Sequence, residues 1–191
     1  MKNHVLVASL ALCWPLSVAV AAGPDDKLAA GEILVSTRDV GADLPEATVQ
    51  AVIDAPPATV WKIVDDCANY KKTMPRIVDS KVHSRNGSVA VCEVKFDMPA
   101  PFSDLVSVTE ATSTAGPPQW KRVWKFLRGD YKRNEGSWTL SAFDAEGKRT
   151  RAVYRVLAIP NSTIPNFMIR KAQEGALPDV MKRVRRAVAG Q

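Results

Sequence analysis

The chain has 191 residues and a formal net charge of +6, and 46% of its residues are hydrophobic. This length corresponds to a single domain, and the mean hydropathy of −0.11 is that of an ordinary globular protein. The positive charge is modest and spread along the sequence. It is compatible with attraction to an anionic lipid surface, but it gives no reason to expect a nucleic-acid partner.

The N-terminus has the pattern of a secretory signal peptide. Lys2 precedes an apolar run over residues 5–20, and the small residues Ala19 and Ala21 form a cleavage site. The run is shorter than the ~20 apolar residues that a membrane-spanning helix needs, so an uncleaved anchor is the weaker alternative. We therefore expect cleavage after Ala21 and a mature protein in the bacterial periplasm.

After the signal peptide, residues 22–31 are polar and alanine-rich, and we expect a flexible lead to a domain that spans residues 32–191. Two runs rich in β-branched residues, 32–40 and 47–54, are separated by turn residues and predict a β-hairpin. Helical spacing begins at Pro57, so two short helices are expected after the second strand.

The next part of the chain predicts strands only, up to the C-terminal segment. Proline, glycine and asparagine turn signals separate the strands at intervals of roughly ten residues. The predicted strands are 77–84, 89–98, 105–112, 119–127, 136–143 and 149–159. Several strands, one small helical insertion and a terminal helix indicate an α+β domain with a curved antiparallel sheet.

Residues 164–191 predict one long amphipathic helix, because apolar side chains fall on one side at about 100° per residue. Pro178 lies in its interior, where a proline removes a hydrogen bond and favours a kink. Gln173 interrupts the apolar stripe. A terminal helix with a wide apolar face must cover something, so we expect the sheet to be closed over by this helix.

Two cysteines, Cys67 and Cys92, follow the signal peptide. In an oxidising compartment one disulfide between them would be worth ~3 kcal/mol. The alternative is a pair of buried free thiols, and the sequence alone does not decide. His83 is the one histidine after the signal peptide and no Cys-x-x-Cys pair occurs, so no metal site is expected.

The strand over residues 119–127 has an aromatic face that contains Trp120 and Trp124. This face is expected to be covered, since two exposed tryptophans in register would form an adhesive patch. Arg122 lies on the same face, and a guanidinium in apolar surroundings needs an anion or ring stacking. It contacts either an acidic or phosphorylated ligand headgroup or a carboxylate of the protein itself.

Small and large side chains alternate on the inner face of the last strands, which suits a packed core or a cavity. In a cleft between the sheet and the helix, Tyr154 and Gln173 would be the polar points, with hydrogen-bonded core positions as the alternative. The candidate ligand-binding residues are Phe96, Met98, Trp120, Arg122, Trp124, Trp138, Tyr154, Gln173, Leu177 and Met181.

No catalytic constellation is evident, because a Ser-His-Asp set and a glycine-rich phosphate loop are both missing. We expect no catalytic residues, no metal and no cofactor. Near the C-terminus, Lys182, Arg183, Arg185 and Arg186 form a basic tip. This tip is either a solvated face that complements the helix dipole or a docking site for anionic lipid headgroups.

The order of elements and several motifs resemble START-like domains of the helix-grip superfamily, which includes polyketide cyclase/aromatase and coenzyme Q-binding relatives. The resemblance covers about residues 32–189 and implies a hydrophobic tunnel between the sheet and the last helix that holds one lipid-like molecule. It implies no shared catalytic residues, and the signal peptide departs from the many cytosolic members. The matching motifs are Val52-Ile53-Asp54-Ala55-Pro56-Pro57 followed by Val60-Trp61, Asp65 or Asp66, Tyr70, Met74-Pro75, the run 134–140, Thr150 with Tyr154, and Ile164-Pro165.

The prediction is therefore a monomeric, non-catalytic protein that binds one hydrophobic molecule. Transfer or storage of that molecule stays open, and transient contact with an anionic membrane surface is a further option. Two alternatives stay open. One is a cyclase/aromatase-type enzyme in which Arg122, Tyr154 and Gln173 orient a polyketide-like substrate. The other is a protein-interaction module whose interior is filled by its own side chains.

Overall fold

The structure is a computed structural model that describes residues 23–190. The predicted signal peptide lies outside this range. A short 3₁₀ turn, Cys67–Asn69, lies between the second and third helices. The helices and strands, in chain order, are α1 Pro24–Ala29, β1 Leu34–Arg38, β2 Glu46–Ile53, α2 Pro57–Val64, α3 Tyr70–Thr73, β3 Ile77–Asn86, β4 Val89–Phe96, β5 Leu105–Thr114, β6 Gln119–Gly129, β7 Tyr131–Ala142, β8 Thr150–Pro160 and α4 Asn166–Ala189.

The described strands form one curved antiparallel sheet in the order β1-β2-β8-β7-β6-β5-β4-β3. The predicted β1–β2 hairpin is confirmed, with Leu34 opposite Gln50. Strand β2 pairs on its other side with β8, so the first and last long strands are neighbours. The two helices after β2 lie where they were predicted and carry the chain to β3 at the far edge of the sheet, from where it returns through adjacent strands to β8.

The long C-terminal helix α4 packs against the inner face of this sheet and against α2. Leu177, Met181 and Val184 on its apolar side are buried in the main core. The helix continues without interruption through Pro178. The predicted α+β helix-grip fold, a curved sheet wrapped around a long terminal helix, is confirmed.

The segment predicted to be a flexible lead differs from the expectation. Residues Pro24–Ala29 form α1, whose Leu28 side chain is buried. The Asp25 carboxylate also forms an ion pair with Arg151 of β8, with 2.8 Å between Oδ2 and Nη2. One buried leucine and one cross-element ion pair hold this polar segment on the domain, which a composition argument does not anticipate.

The other correction of consequence concerns β7, which begins at Tyr131 and not at residue 136 as predicted. Asn134, which lies before the predicted strand, is a buried strand residue. A register irregularity between Tyr131 and Arg133 interrupts the alternation of inward and outward side chains by which a strand is recognised in a sequence. Among the helices that the structure describes, none is long and apolar enough to span a membrane.

Candidate functional site

A cavity of about 320 Å³ lies between α4 and the inner face of the sheet, and we call it the outer chamber. Most of its wall is apolar, and α4 contributes one side of it while β4, β8 and the β4–β5 loop contribute the other. Representative wall residues are Met98, Phe102, Val156, Ile169, Ala176 and Leu177. The sequence-predicted space under the terminal helix is therefore present.

A second, smaller cavity of about 110 Å³, the inner chamber, lies deeper against β5, β6 and β7. The two chambers adjoin, because both are lined by Pro75, Phe96, Asn134, Tyr154 and Val180. The walls of the inner chamber include more polar side chains. The site is thus an apolar space that ends in a polar pocket.

The most polar wall of the inner chamber is built around Arg122. Its side chain is nearly fully buried, and Nη1 lies 2.7 Å from Oδ1 of Asp65. The Ser113 hydroxyl donates to the same carboxylate oxygen over 2.5 Å, and Arg122 Nη2 lies 3.2 Å from Sγ of Cys92. Of the two partners that the sequence left open for Arg122, the structure shows the protein carboxylate.

A second polar chain fixes the adjacent wall. The Trp124 indole N–H donates to Oδ1 of Asn134 over 3.2 Å, and the Asn134 amide donates to the Ser107 hydroxyl over 2.9 Å. The Trp124 ring lies over Gly136 of the neighbouring strand, where any Cβ would collide with the ring. Glycine at this position therefore allows the tryptophan to lie flat against the sheet.

Tyr154 stands at the junction of the two chambers. Its ring stacks on Trp124 with 5.6 Å between centroids and packs against Trp138 at 4.7 Å. Among the described residues, its hydroxyl has no hydrogen-bond partner within the protein. Burial raises the pKa of this phenol well above its ordinary value, so the group stays protonated and neutral.

Cys67 and Cys92 form a disulfide, with 6.4 Å between their Cα atoms. Cys92 lies on β4 and lines the inner chamber, whereas Cys67 follows the segment that supplies Asp65. The bond therefore ties the α2–α3 segment to the sheet next to the Arg122–Asp65 pair. The bridged alternative is the one that the structure contains.

Eight of the ten candidate residues line one or both chambers, and two do not. Trp120 packs against the main core, and Met181 is fully buried in it. Both side chains point into the interior as predicted, but they lie outside the part of the sheet and helix that borders the chambers. The eight that line the chambers are Phe96, Met98, Arg122, Trp124, Trp138, Tyr154, Gln173 and Leu177.

Several wall residues were missed. Tyr131 and Asn134 lie before the strand predicted over residues 136–143, and Thr109 of β5 was not singled out. Gln173, which was predicted as a polar point, donates its amide N–H to the Ala158 carbonyl over 2.9 Å. The sequence did indicate that the inward Arg122 needs an anionic partner, and the structure shows that this partner is Asp65.

The basic tip of α4 is not a free cluster. Arg185 donates to the main-chain carbonyls of Val52 and Gly31, and Lys182 lies 2.9 Å from Asp179. The guanidinium of Arg185 therefore anchors the helix to β2 and to the segment after α1. At least part of the tip has a structural role.

The family follows from comparison with known proteins. A profile of the family described as polyketide cyclase / dehydrase and lipid transport matches residues 53–185, and the chain belongs to this family. No curated protein matches the sequence. The matched range contains every residue that lines the two chambers. It leaves out α1, β1, most of β2 and the last residues of α4.

Solved structures share the fold at low sequence identity. The STAR-related lipid transfer protein of Xanthomonas axonopodis (fragment 25–204) is 21% identical with a TM-score of 0.71, covering 82% of this chain and 93% of that one. Human STARD10 is 15% identical with a TM-score of 0.71, covering 82% and 69%. The Zhui aromatase/cyclase of Streptomyces sp. R1128 is 15% identical with a TM-score of 0.60, covering 76% and 91%.

Proposed function

We propose that this protein binds one hydrophobic, lipid-like molecule in the two adjoining chambers and transfers it between membranes without chemical change. The observation that supports this most directly is the apolar outer chamber of about 320 Å³ beneath α4. A protein-interaction module with a filled interior would have no such space. Fold relatives named for lipid transfer point the same way.

Apolar burial supplies the affinity in this proposal. Each methylene that leaves water contributes ~0.8 kcal/mol, less the cost of restraining the ligand. The walls offered by Val156, Ile169 and Leu177 are aliphatic and suit a flexible or ring-fused hydrocarbon. In this proposal the hydroxyl of Tyr154 binds the polar end of the ligand where the two chambers meet.

The enzyme alternative belongs to the same family, which contains aromatase/cyclase proteins. The groups that line the inner chamber suit orientation better than proton transfer. Burial raises the pKa of Tyr154 and also that of Tyr70, so neither phenol gives up its proton near neutral pH. Arg122 is committed to Asp65. We therefore favour binding over turnover.

Export to the periplasm is part of the proposal and rests on the pattern of residues 1–21. The mass of the protein recovered from a periplasmic fraction tests it. A mature chain that starts at Ala22 supports export. Full-length protein retained in the cytoplasm contradicts it and leaves the binding proposal untouched.

Contact with an anionic membrane completes the proposal. Phe167 at the start of α4 is 72% exposed, and the next residue, Met168, lines the outer chamber and is 43% exposed. Arg170 and Lys171 follow on the same helix and are exposed. An apolar tip beside cationic side chains suits the headgroup region of an anionic bilayer, and it lies next to the chamber, unlike the basic tip.

Substitution of Phe167 tests this contact. Phe167→Ser is expected to weaken flotation with vesicles of phosphatidylglycerol and phosphatidylcholine several-fold, because a large apolar group no longer enters the interface. Val123→Ser is the matched control, since Val123 is an exposed apolar residue on the outer face of β6. Equal loss in both variants, or none in Phe167→Ser, contradicts this surface.

The binding proposal itself is tested on protein purified from its native host without detergent. Native mass spectrometry followed by solvent extraction is expected to show one bound lipid-like molecule per chain. Transfer of a fluorescent lipid between donor and acceptor vesicles then separates a carrier from a storage protein. Apo mass alone, together with no uptake of any neutral or charged lipid probe, would rule out the proposal.

A further inference from the structure

The charged side chains in the chamber walls form ion pairs within the protein. Arg76 and Asp97 line the outer chamber at its rim, where both are about half exposed, with 3.5 Å between Nη2 and Oδ2. Arg122 lines the inner chamber and is 3% exposed, with Asp65 beside it. Each cation that borders the cavity therefore has a carboxylate of the protein as its counter-ion.

The Arg122 pair is the one that decides the charge inside. Asp65 accepts from Arg122 and from Ser113 on the same oxygen, and its second oxygen lies 3.3 Å from Arg85. Arg85 is 42% exposed and lines neither chamber, so its charge is solvated by water, and towards the inner chamber the Asp65 carboxylate acts as the counter-ion of Arg122. An anionic headgroup that entered the inner chamber would lose its hydration without gaining a counter-ion.

The polar groups that remain available to a ligand are neutral. The Tyr154 hydroxyl has no protein partner among the residues that the structure describes, and it lies where the chambers meet. Gln173 uses its amide N–H on Ala158, which leaves its carbonyl oxygen as an acceptor in the outer chamber. A hydroxyl or a carbonyl on the ligand can bond to these groups without any charge.

We propose that the chambers select an uncharged lipid with one neutral oxygen function, a hydroxyl or a carbonyl, and exclude lipids whose headgroup is an ionised carboxylate or phosphate. The inference rests on the proposed function, because it names the ligand class of the same cavity. Selectivity comes from the Arg122–Asp65 pair, in which the carboxylate already serves as counter-ion to the buried guanidinium of the inner chamber, and Tyr154 supplies the neutral hydrogen bond.

A chain-matched pair of probes tests the selectivity. 1-Hexadecanol and palmitate have the same hydrocarbon length, and at pH 7.5 palmitate is ionised because an ordinary carboxyl group has a pKa of about 4 to 5. Wild-type protein is equilibrated with an equimolar mixture of the two, delivered from cyclodextrin. The bound lipids are then extracted, and the amount of each is measured by mass spectrometry. We expect hexadecanol to dominate the bound fraction.

A charge-release variant asks whether the ion pair is the cause. Asp65→Asn keeps the shape of the side chain but leaves Arg122 without a counter-ion, so palmitate affinity is expected to rise roughly tenfold or more while hexadecanol affinity changes less than about threefold. Comparing one lipid across two proteins cancels that lipid's own solubility. Asp66→Asn is the control, since Asp66 bonds Asn69 at the surface and faces neither chamber.

The outcomes separate the two proposals. If wild-type protein retains palmitate as well as hexadecanol, or if Asp65→Asn changes both affinities equally, the neutral-ligand inference is overturned while lipid binding stands. If neither probe binds, the proposed function itself fails. Should Asp65→Asn not fold, the wild-type competition decides alone, and adding 1-monopalmitoylglycerol, which is also neutral, must give the hexadecanol result.

Discussion

The two chambers of the site are built in opposite ways. The inner chamber is walled by hydrogen-bonded side chains in which Arg122, Asp65 and Asn134 each have fixed partners. The outer chamber is walled by aliphatic and small side chains such as Val156 and Ala176, with few directional contacts. One region is held by specific bonds, and the other only by packing against α4.

This difference indicates which region of the site stabilises the fold and which region provides space for a ligand. A buried polar network is costly to break, since each lost partner strands a desolvated group. An apolar wall that already borders empty space has fewer contacts to lose. We therefore expect substitutions around the inner chamber to act mainly on folding, and substitutions around the outer chamber to act mainly on ligand uptake.

The largest expected effect on stability comes from Asp65→Ala. The change leaves the guanidinium of Arg122 buried without its carboxylate, and breaking such a pair typically costs about 3–5 kcal/mol. Because Asp65 keeps some exposure to solvent, the lower end is expected. Urea denaturation measures the free energy of unfolding. Asp66→Ala is the neighbouring control and should cost roughly 1 kcal/mol or less, so equal losses would contradict the comparison.

Removal of the disulfide is expected to have the next largest effect. Cys67 and Cys92 are 25 residues apart in sequence, and a loop of that size stabilises the folded chain by ~3 kcal/mol on the chain-entropy account. The double variant Cys67→Ser/Cys92→Ser should lower the denaturation midpoint accordingly. Reductant should destabilise the wild type but leave the double variant unchanged. No difference between oxidised and reduced wild type would show that the bond adds nothing.

The fold could be derived from the sequence because its signals are local and repeated. Alternation in the strand that ends at Phe96 and turn residues such as Gly87 placed the elements of the sheet, and the apolar stripe through Leu177 and Met181 placed α4. The helix over residues 24–29 was missed because Leu28 is its single buried side chain. One apolar residue among polar ones does not define a face.

The site was harder to derive because its walls depend on partners that are distant in sequence. The inward direction of Arg122 followed from the tryptophans on the same face, but its partner Asp65 is 57 residues away. Asn134 was hidden by the irregular register at the start of β7. Trp120 and Met181 show the limit of facing arguments, because a face can point inward and still meet core rather than cavity.

A pair of glycines sharpens the comparison at intermediate size. Gly136→Ala places a methyl group against the Trp124 ring and the Arg155 carbonyl, and such overpacking beside the inner chamber typically costs about 1–3 kcal/mol. Gly175 lies in α4 with open space around it, so Gly175→Ala is expected to stabilise the helix by about 0.5–1 kcal/mol. Thermal unfolding of both variants measures the two signs, and a loss at Gly175 would indicate that α4 needs its flexibility.

Filling the outer chamber is expected to have a small effect on stability and the largest effect on ligand binding. Ala176→Phe directs a ring from α4 into the space, so uptake of a neutral lipid probe should be abolished while the free energy of unfolding changes by less than about 1.5 kcal/mol. Glu174→Phe adds the same ring on the exposed side of α4 and should leave uptake intact. If Ala176→Phe still takes up lipid, the ligand does not occupy the outer chamber. The structural difference between the two chambers would then not explain ligand binding.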